Sequence, residues 1–436
     1  MEPTIVQYPL GDNPPTARLY YGVDVLTGLR ELLTGSVHCV CTSPPYFGLR
    51  DYNTPPLVWG GNPKCEHVWG VELPPHHPGQ VKQSLQTQLG LAKIPADPTR
   101  VGKCLLCGAW LGQLGLEPTP QLYVQHLVEI FREVKRVLRP DGTLWINLGD
   151  SYARDAGKGQ HKPGETGYKQ AYIYDQGHGR ASATADLDAL GLRAKNLIGI
   201  PWRVAFGLQE DGWILRNDII WEKPNVLPES VADRCTKSHE YVFLFSQRER
   251  YFYDATAIVE PVDVPGGRPC GPKNDASRND FDSTGTIRGN GTTRNKRTVW
   301  TIPTHPYAGA HFAVFPPALV EPMVLAGTSE KGCCRLCGAP RRRILVPGDE
   351  TRPDKTVGWE ASCVCGTGNK PCTVLDPFSG SATTGSVALA NGRDYVGIDL
   401  STEYLQLAVK RLTGSPLPSE PTTSIFDLFG GANNDA

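Results

Sequence analysis

The stretch from Thr373 to Ser401, TVLDPFSGSATTGSVALANGRDYVGIDLS, restricts the fold more than any other part of the 436-residue chain. An apolar run ends at Asp376, a Gly- and Ser-rich turn follows, a helical pattern begins near Thr383, and a second apolar run ends at Asp399. Strand, turn, helix and strand in this order form a βαβ unit, which needs a parallel sheet with a helix on one face. The small residues Ser379, Gly380 and Ser381 let a ligand approach the backbone, and the helix start offers unpaired N–H groups. Asp399 ends the second strand 23 residues after Asp376, where a carboxylate can accept from ribose hydroxyls. A plain structural turn is the competing reading of the glycine pattern alone; the acidic residue at the second strand end favours nucleoside binding.

The rest of the chain repeats the alternation. RLYYGVDVL, TGLRELL and SVHCVC read as strand, helix and strand. Thr119 and Pro120 predict a helix start, and Val124, Leu127, Val128, Phe131, Val134 and Leu138 recur at helical spacing. RPDG stops that helix ahead of the strand TLWINL; IPWRVAFGL is a helix, and WILRNDIIWEKP and HEYVFLFSQ are strands. The expected fold class is α/β, a Rossmann-like, doubly wound, mostly parallel sheet. The length would allow two or three domains, but we read residues 1–412 as one elaborated domain. Four segments lack apolar periodicity: a Cys/His-bearing insertion at 53–117, a polar loop at 151–196, a basic region at 253–300 and a Cys-rich insertion at 331–372. Residues 413–436 read as a disordered tail.

The strand SVHCVC runs into Thr42-Ser43-Pro44-Pro45-Tyr46. Proline donates no backbone hydrogen bond, so the pair ends the strand. With DPFSGSATTG this block resembles the amino-group DNA methyltransferases that use S-adenosylmethionine. Their Asp-, Asn- or Ser-Pro-Pro-Tyr turn is catalytic, and their Asp-Pro-Phe-x-Gly-Ser-Gly-Thr-Thr loop holds the cofactor. The resemblance covers most of Leu19 to Leu412. The catalytic block comes first and the cofactor block last, as in the family's β class. It implies a methyltransferase-type sheet, S-adenosylmethionine as cofactor and double-stranded DNA as partner. It implies base-holding roles for Ser43, Pro44, Pro45 and Tyr46. It implies cofactor roles for Asp376, Pro377, Phe378, Ser379, Gly380, Ser381, Thr383, Asp399 and, through HFAVFP, Phe315; the competing reading makes Phe312 and Phe315 core residues. Ala382 departs from the family's last glycine, for which a slightly tighter pocket is expected.

The chemistry agrees. An exocyclic amine is a poor nucleophile because its lone pair is delocalised into the ring. The Ser43 hydroxyl and the Pro44 carbonyl can accept its two N–H hydrogens and hold the nitrogen toward tetrahedral geometry. Tyr46 offers a stacking face to a base extruded from the duplex, and Phe47 is expected to extend that wall. The position after the first proline is Pro45, not the nucleophilic Cys that ring-carbon methylation requires. Within the resemblance, Ser43 favours the 4-amino group of cytosine over the 6-amino group of adenine, and the chemistry allows both. Asp150 is expected at the same sheet edge, with loop capping as its alternative role. Phosphate or guanine contacts are expected from the basic region, with Arg288, Arg294, Lys296 and Arg297 as candidates, unless that region is a solvated loop.

Thirteen cysteines in a chain with no apparent signal peptide imply a reducing, cytoplasmic setting, where clustered thiols read as metal ligands. Cys65, His67, Cys104 and Cys107 form one candidate structural zinc set; Cys334, Cys337, Cys363 and Cys365 form the second, with Cys333 in reserve. The alternative is reduced cysteines in loops. The Pro371–Cys372 pair reads as structural. A net charge of −1 gives no global attraction to nucleic acid or membrane, which leaves a local basic face open. A companion restriction endonuclease is an optional partner, and host or phage DNA protection is the implied setting. Ser424–Phe429, SIFDLF, is either a clamp-binding motif or a segment packed on its own domain. The rival functions are RNA or protein-glutamine methylation, a zinc-bearing nucleic-acid binder with an inactive domain, and a dinucleotide oxidoreductase.

Overall fold

The computed structural model describes residues 2–7, 14–48, 54–69, 102–153, 192–193, 195–226, 228–261, 293–304, 314–346 and 355–414. Arg288, SIFDLF and nearly all of 151–196 lie outside the described residues. Strands β1 (Thr4–Gln7) and β2 (Thr16–Tyr21) lead into helix α1 (Val25–Arg30) and the wholly buried β3 (Val37–Thr42). The short β4 (Leu57–Trp59) and β5 (Trp110–Gly112) pair with each other. Helix α2 (Pro120–Val137) starts as its sequence predicts: Thr119 Oγ1 accepts from Leu122 N at 3.1 Å, with Pro120 in the first turn.

RPDG is no separate turn. The helix ends at Val137, and β6 (Leu138–Leu148) begins at once. Arg139 and Asp141, two apart on an extended chain, share a side and pair at 2.9 Å. Then follow α3 (Ile200–Glu210), β7 (Ile214–Glu222), β8 (His239–Ser246), β9 (Glu260–Pro261), β10 (Thr293–Arg294), β11 (Val299–Thr301) and α4 (Pro317–Gly327). The second insertion holds β12 (Cys333–Cys334), β13 (Arg342–Val346), β14 (Lys355–Glu360) and β15 (Asn369–Lys370). Last come β16 (Thr373–Asp376), α5 (Thr383–Ala390), β17 (Asp394–Asp399) and α6 (Glu403–Thr413).

The main sheet has nine strands in the order β1-β2-β17-β16-β3-β6-β8-β7-β11. β2, β17, β16, β3 and β6 are mutually parallel, while β8 runs antiparallel to both neighbours. The mostly parallel expectation therefore holds for the half that carries the motifs, and the other half is mixed. Alternate residues of β3 feed two cores. Val40 joins α1, α2 and α3 on one face; Cys39 and Cys41 join α4, α5 and α6 on the other. Helices thus cover both faces, the doubly wound arrangement, and the ligand crevice lies beyond the carboxyl ends of the parallel strands. Among the described residues no helix is long and apolar enough to cross a membrane.

Candidate active site

Thr42, Asp376 and Asp399 end three parallel strands at one sheet edge. The catalytic-type turn and the cofactor-type loop meet there through one hydrogen bond: Thr42 Oγ1 donates to Asp376 Oδ1 at 2.7 Å. Thr384 Oγ1 donates to Asp376 Oδ2 at 2.8 Å, and Phe378 N to Oδ1 at 3.1 Å. Both oxygens of this buried carboxylate are thus held by the chain itself. Burial raises its pKa to about 6 against those three donors.

The loop is braced from neighbouring strands. Tyr21 Oη bonds Ser379 Oγ at 2.7 Å and donates to the Gly380 carbonyl at 2.7 Å, while Tyr395 Oη also reaches Ser379 Oγ at 2.7 Å. Gly380 N donates to Asp399 Oδ2 at 2.7 Å, and Ser401 N to Oδ1 at 2.9 Å. Burial raises the Asp399 carboxyl to about 6 as well. At Gly380, φ is +49° and a Cβ would meet nothing within 4 Å, so open space lies beside the loop. Ser381 Oγ is buried with no hydrogen-bond partner among the described residues, and α5 has no side-chain N-cap. Thr383 Oγ1 accepts from Arg411 of α6. Ala382 sits in the left-handed region at φ +58°, so its departure from glycine loads the backbone; pocket width was the expected consequence.

The base-type turn is fixed by residues far away in sequence. Pro45 O accepts from Tyr123 Oη at 2.8 Å. The Tyr46 ring lies against Gly149, where a Cβ would come within 2.6 Å of it. Its hydroxyl reaches Glu240 Oε2 at 2.7 Å and Asn147 Oδ1 at 2.9 Å; the single proton goes to the carboxylate, the stronger acceptor. Asn147 Nδ2 also donates to Glu240 Oε2 at 3.1 Å, and Lys223 Nζ pairs with Glu240 Oε1. Ser43 Oγ donates to Tyr46 Oη at 3.3 Å. Asn147, Lys223 and Glu240 were not singled out from the sequence. The alternation in β6 and β8 could have flagged two of them, since Asn147 and Glu240 are polar residues at the strand ends that reach this edge.

The remaining candidates take the following places. Phe47 is buried against Tyr123, ring centroids 5.6 Å apart, and belongs to the core rather than to a stacking wall. An apolar ring at the start of a turn finds more contact inward than at the crevice. Asp150 caps α3, accepting from Gly199 N at 3.0 Å and Ile200 N at 2.9 Å. Phe315 packs half-buried on the second core. In the basic region, Arg294 and Arg297 both pair with Glu260, and Lys296 lies 5.0 Å over the Trp300 ring.

Each cysteine set converges. The ligand atoms of Cys65, His67, Cys104 and Cys107 all lie within 4.8 Å of one another, as do those of Cys334, Cys337, Cys363 and Cys365. A third group, His38, Cys333 and Cys372, is equally close and wholly buried. His38 is already committed there: Nδ1 accepts from Thr373 N at 3.0 Å, and Nε2 donates to Gly338 O at 2.9 Å. Cys372 is buried, in keeping with its structural reading.

The family model described as DNA methylase (N6_N4_Mtase) matches residues 37–336 and 362–410. The type II methyltransferase M.XycI of Xanthomonas campestris pv. cyanopsidis is 36% identical over 391 residues, 90% of this chain and 86% of that protein. M.Cfr9I of Citrobacter freundii is 36% identical over 398 residues, covering 91% and 88%. M.SmaI of Serratia marcescens is 36% identical over 374 residues, covering 86% and 83%. Among solved structures, PvuII DNA methyltransferase (cytosine-N4-specific) aligns with TM-score 0.46 at 15% identity, covering 96% of this chain and 92% of that one. A family match across most of the length, with relatives at this identity over most of both chains, makes the chain a member of the N6/N4 DNA methylase family, the amino-group DNA methyltransferases.

Proposed function

We propose that the protein transfers the methyl group of S-adenosylmethionine to the 4-amino group of cytosine in double-stranded DNA. We read it as the modification partner of a type II restriction system, in keeping with the names of its relatives. The observation that carries this reading is the 2.7 Å bond from Thr42 to Asp376, which locks the Ser-Pro-Pro-Tyr turn to the Gly/Ser loop. Methyl transfer needs an electrophile and an amine in line, so the two binding elements must share one rigid frame.

The cradle fits a nucleoside cofactor on four counts: the open space at Gly380, the orphaned Ser381 hydroxyl, the uncapped start of α5 and the carboxylate of Asp399 at a strand end. Asp399 would accept from the ribose hydroxyls, with Pro377, Phe378, Ser379 and Thr383 lining the loop and Phe315 facing the methionine part. Asp376, with both oxygens engaged, acts as a positioning residue between loop and turn. Bound there, the cofactor supplies a sulfonium-activated methyl group.

The remaining work falls to the turn. Ser43 gives its proton to Tyr46, and Tyr46 gives its own to Glu240. This one-way chain leaves the Ser43 Oγ lone pairs as acceptors, the polarity needed to draw an amine N–H. The Pro44 carbonyl accepts the second N–H, while Tyr123 holds the neighbouring Pro45 carbonyl. The amine nitrogen is thereby turned with its lone pair toward the methyl carbon, and the base stacks on Tyr46. Lys223 pairs with the other oxygen of Glu240 and so holds the last acceptor of the chain in place.

Adenine-N6 transfer would use the same geometry; the hydroxyl at Ser43, typical of cytosine enzymes within the resemblance, favours cytosine. Expression in a methylation-free host, followed by sequencing that separates N4-methylcytosine from N6-methyladenine, tests both base and site. N4-methylcytosine at one recurrent sequence is expected. N6-methyladenine in its place would overturn the choice of base, and unmodified DNA from folded, cofactor-binding protein would overturn the reading altogether.

A further inference from the structure

The two cysteine clusters repeat one local design. In CLLCGA, Cys104 N donates to Ala109 O at 2.7 Å and Gly108 N to Cys104 O at 2.9 Å. In CRLCGA, Cys334 N donates to Ala339 O at 2.8 Å and Gly338 N to Cys334 O at 2.9 Å. Gly108 and Gly338 take φ of +73° and +71°, so each turn needs its glycine. The second arm of each set is a pair spaced by one residue, Cys65 and His67 or Cys363 and Cys365. It comes before the knuckle in one set and after it in the other. Two arms in opposite chain order that reach the same four-ligand arrangement point to a common occupant.

The distances identify its class. Tetrahedral zinc, at about 2.3 Å from sulfur and about 2.0–2.1 Å from nitrogen, sets ligand atoms about 3.8 Å apart for S···S and about 3.6 Å for S···N. Cys65 Sγ lies 3.9 Å from Cys104 Sγ, and Cys107 Sγ lies 3.4 Å from His67 Nδ1. Disulfide sulfurs would sit near 2 Å, and all eight of these positions hold a free thiol or an imidazole. Four protein ligands leave no open coordination position, so the role is structural.

The wiring differs between the two. From the first knuckle, β5 pairs with β4, and Trp59 and Trp110 stack on His126 at 5.1 and 5.5 Å. His126 bonds the buried Glu117 at 2.9 Å, Glu117 accepts from Gly115 N at 2.8 Å, and Gly115 O accepts from Gly48 N at 2.8 Å. Gly48 lies two residues beyond Tyr46. The second knuckle instead offers Gly338 O to His38 and Cys337 O to Arg139, at the opposite end of β3, about 17 Å away by strand rise. We infer that each cluster binds one zinc ion, and that the Cys65-His67-Cys104-Cys107 ion positions the Ser43–Tyr46 turn while the other fastens the far end of the sheet. The metal assignment stands independently of the enzyme reading; only the consequence for catalysis rests on it.

The test uses full-length protein and needs no turnover. Elemental analysis of gel-filtered wild type should give two zinc ions per chain, and Cys107→Ser and Cys337→Ser should each give one. Hydrogen exchange should then separate the roles: Cys107→Ser speeds exchange in the peptide containing Gly48, and Cys337→Ser speeds it in the peptide containing Thr373. Should either serine variant aggregate, cobalt-grown wild type and His67→Cys give the reading instead. Both bind two cobalt ions, and the variant's visible absorption shifts to that of four thiolates. Folded wild type with fewer than two ions, or an unshifted His67→Cys spectrum, would overturn the sites. Equal exchange at Gly48 in Cys107→Ser and wild type would overturn the positioning role. If the sites hold but no DNA is ever methylated, the proposed function fails and the zinc assignment survives.

Discussion

The cofactor cradle and the base-holding turn share a sheet edge and one hydrogen bond, yet they are assembled differently. The cradle comes from one continuous stretch, Asp376 to Asp399, braced from elsewhere in the chain by Tyr21, Thr42 and Arg411. The turn has only five residues of its own. Its carbonyl is fixed by Tyr123, its ring by Gly149, and its hydroxyl chain by Asn147, Glu240 and Lys223. A local device tolerates change elsewhere, whereas a distributed one is exposed to change in every element that feeds it. The cradle should therefore govern cofactor affinity with little effect on turnover, and the turn should do the reverse.

The sharpest break in that division is Ser43→Ala. Removing one preorganised polar partner at a reacting group costs roughly 10²–10³ in rate, so kcat should fall by at least about that factor. Cofactor Kd, read by calorimetry, should stay within about twofold, because the Ser43 hydroxyl is bonded to Tyr46 of its own turn. Loss of cofactor binding in this variant would erase the distinction between cradle and turn.

Glu240→Gln asks whether the distributed support is real. The amide keeps the shape but weakens the acceptor for Tyr46 and leaves Lys223, only 16% exposed, without its counter-charge. We expect kcat to fall by about tenfold with cofactor Kd unchanged. Tyr46→Phe, which cuts the same proton chain one link earlier, should not add its full effect to that of Glu240→Gln, since the two act through one network. Additive losses would mean that Glu240 supports something other than Tyr46.

The cradle is probed by pH. Burial raises both Asp376 and Asp399 to about 6 from an ordinary value of 3.8. The folded state therefore binds more protons than the unfolded chain between roughly pH 4 and 6. Stability falls as pH rises through that window, by up to roughly 3 kcal/mol per group. Cofactor binding has the opposite sense. Only ionised Asp399 is a full acceptor for ribose hydroxyls, so affinity should decline as pH falls through about 6. Asp399→Asn should bind more weakly at pH 8 and lose that pH dependence. Turnover at saturating cofactor should follow a different profile, which separates cradle from turn once more.

These contrasts also explain what could be read from residues alone. The βαβ unit, the capped start of α2 and the two motif blocks are each written in a short window, where local chemistry decides the structure. Thr42 and Asp376 share an edge because each ends one of two adjacent parallel strands. Alternation marks Asn147 and Glu240 only as polar residues near strand ends, and Lys223 follows β7; that the three meet depends on the antiparallel placement of β8 between β6 and β7. The buried position of Phe47 has a related cause. Two adjacent aromatics after a turn suggest one surface, yet successive residues of a turn face different ways, and only Tyr123 and the first core decide which ring goes inward. The cysteine sets could be grouped by spacing, whereas their attachment to opposite ends of β3 had no local signature.

The smallest expected effect lies within the cradle, at Ala382. A residue with a Cβ in the left-handed region carries about 1–2 kcal/mol of strain, which glycine would relieve. Against this, Ala382→Gly deletes a fully buried methyl worth about 0.8 kcal/mol and adds backbone freedom to the unfolded chain worth about 0.4–1 kcal/mol. The terms nearly cancel, so the variant should lie within about 1 kcal/mol of wild type in urea unfolding. Ala382→Val, β-branched at positive φ and with no room in a packed core, should lose about 2 kcal/mol or more. The near-cancellation accounts for an alanine at this position: its buried methyl fills space in the second core and repays the strain the backbone carries. A large gain from Ala382→Gly would mean that the methyl packs against nothing of value. A large loss would mean that the left-handed turn is held by its neighbours at little cost.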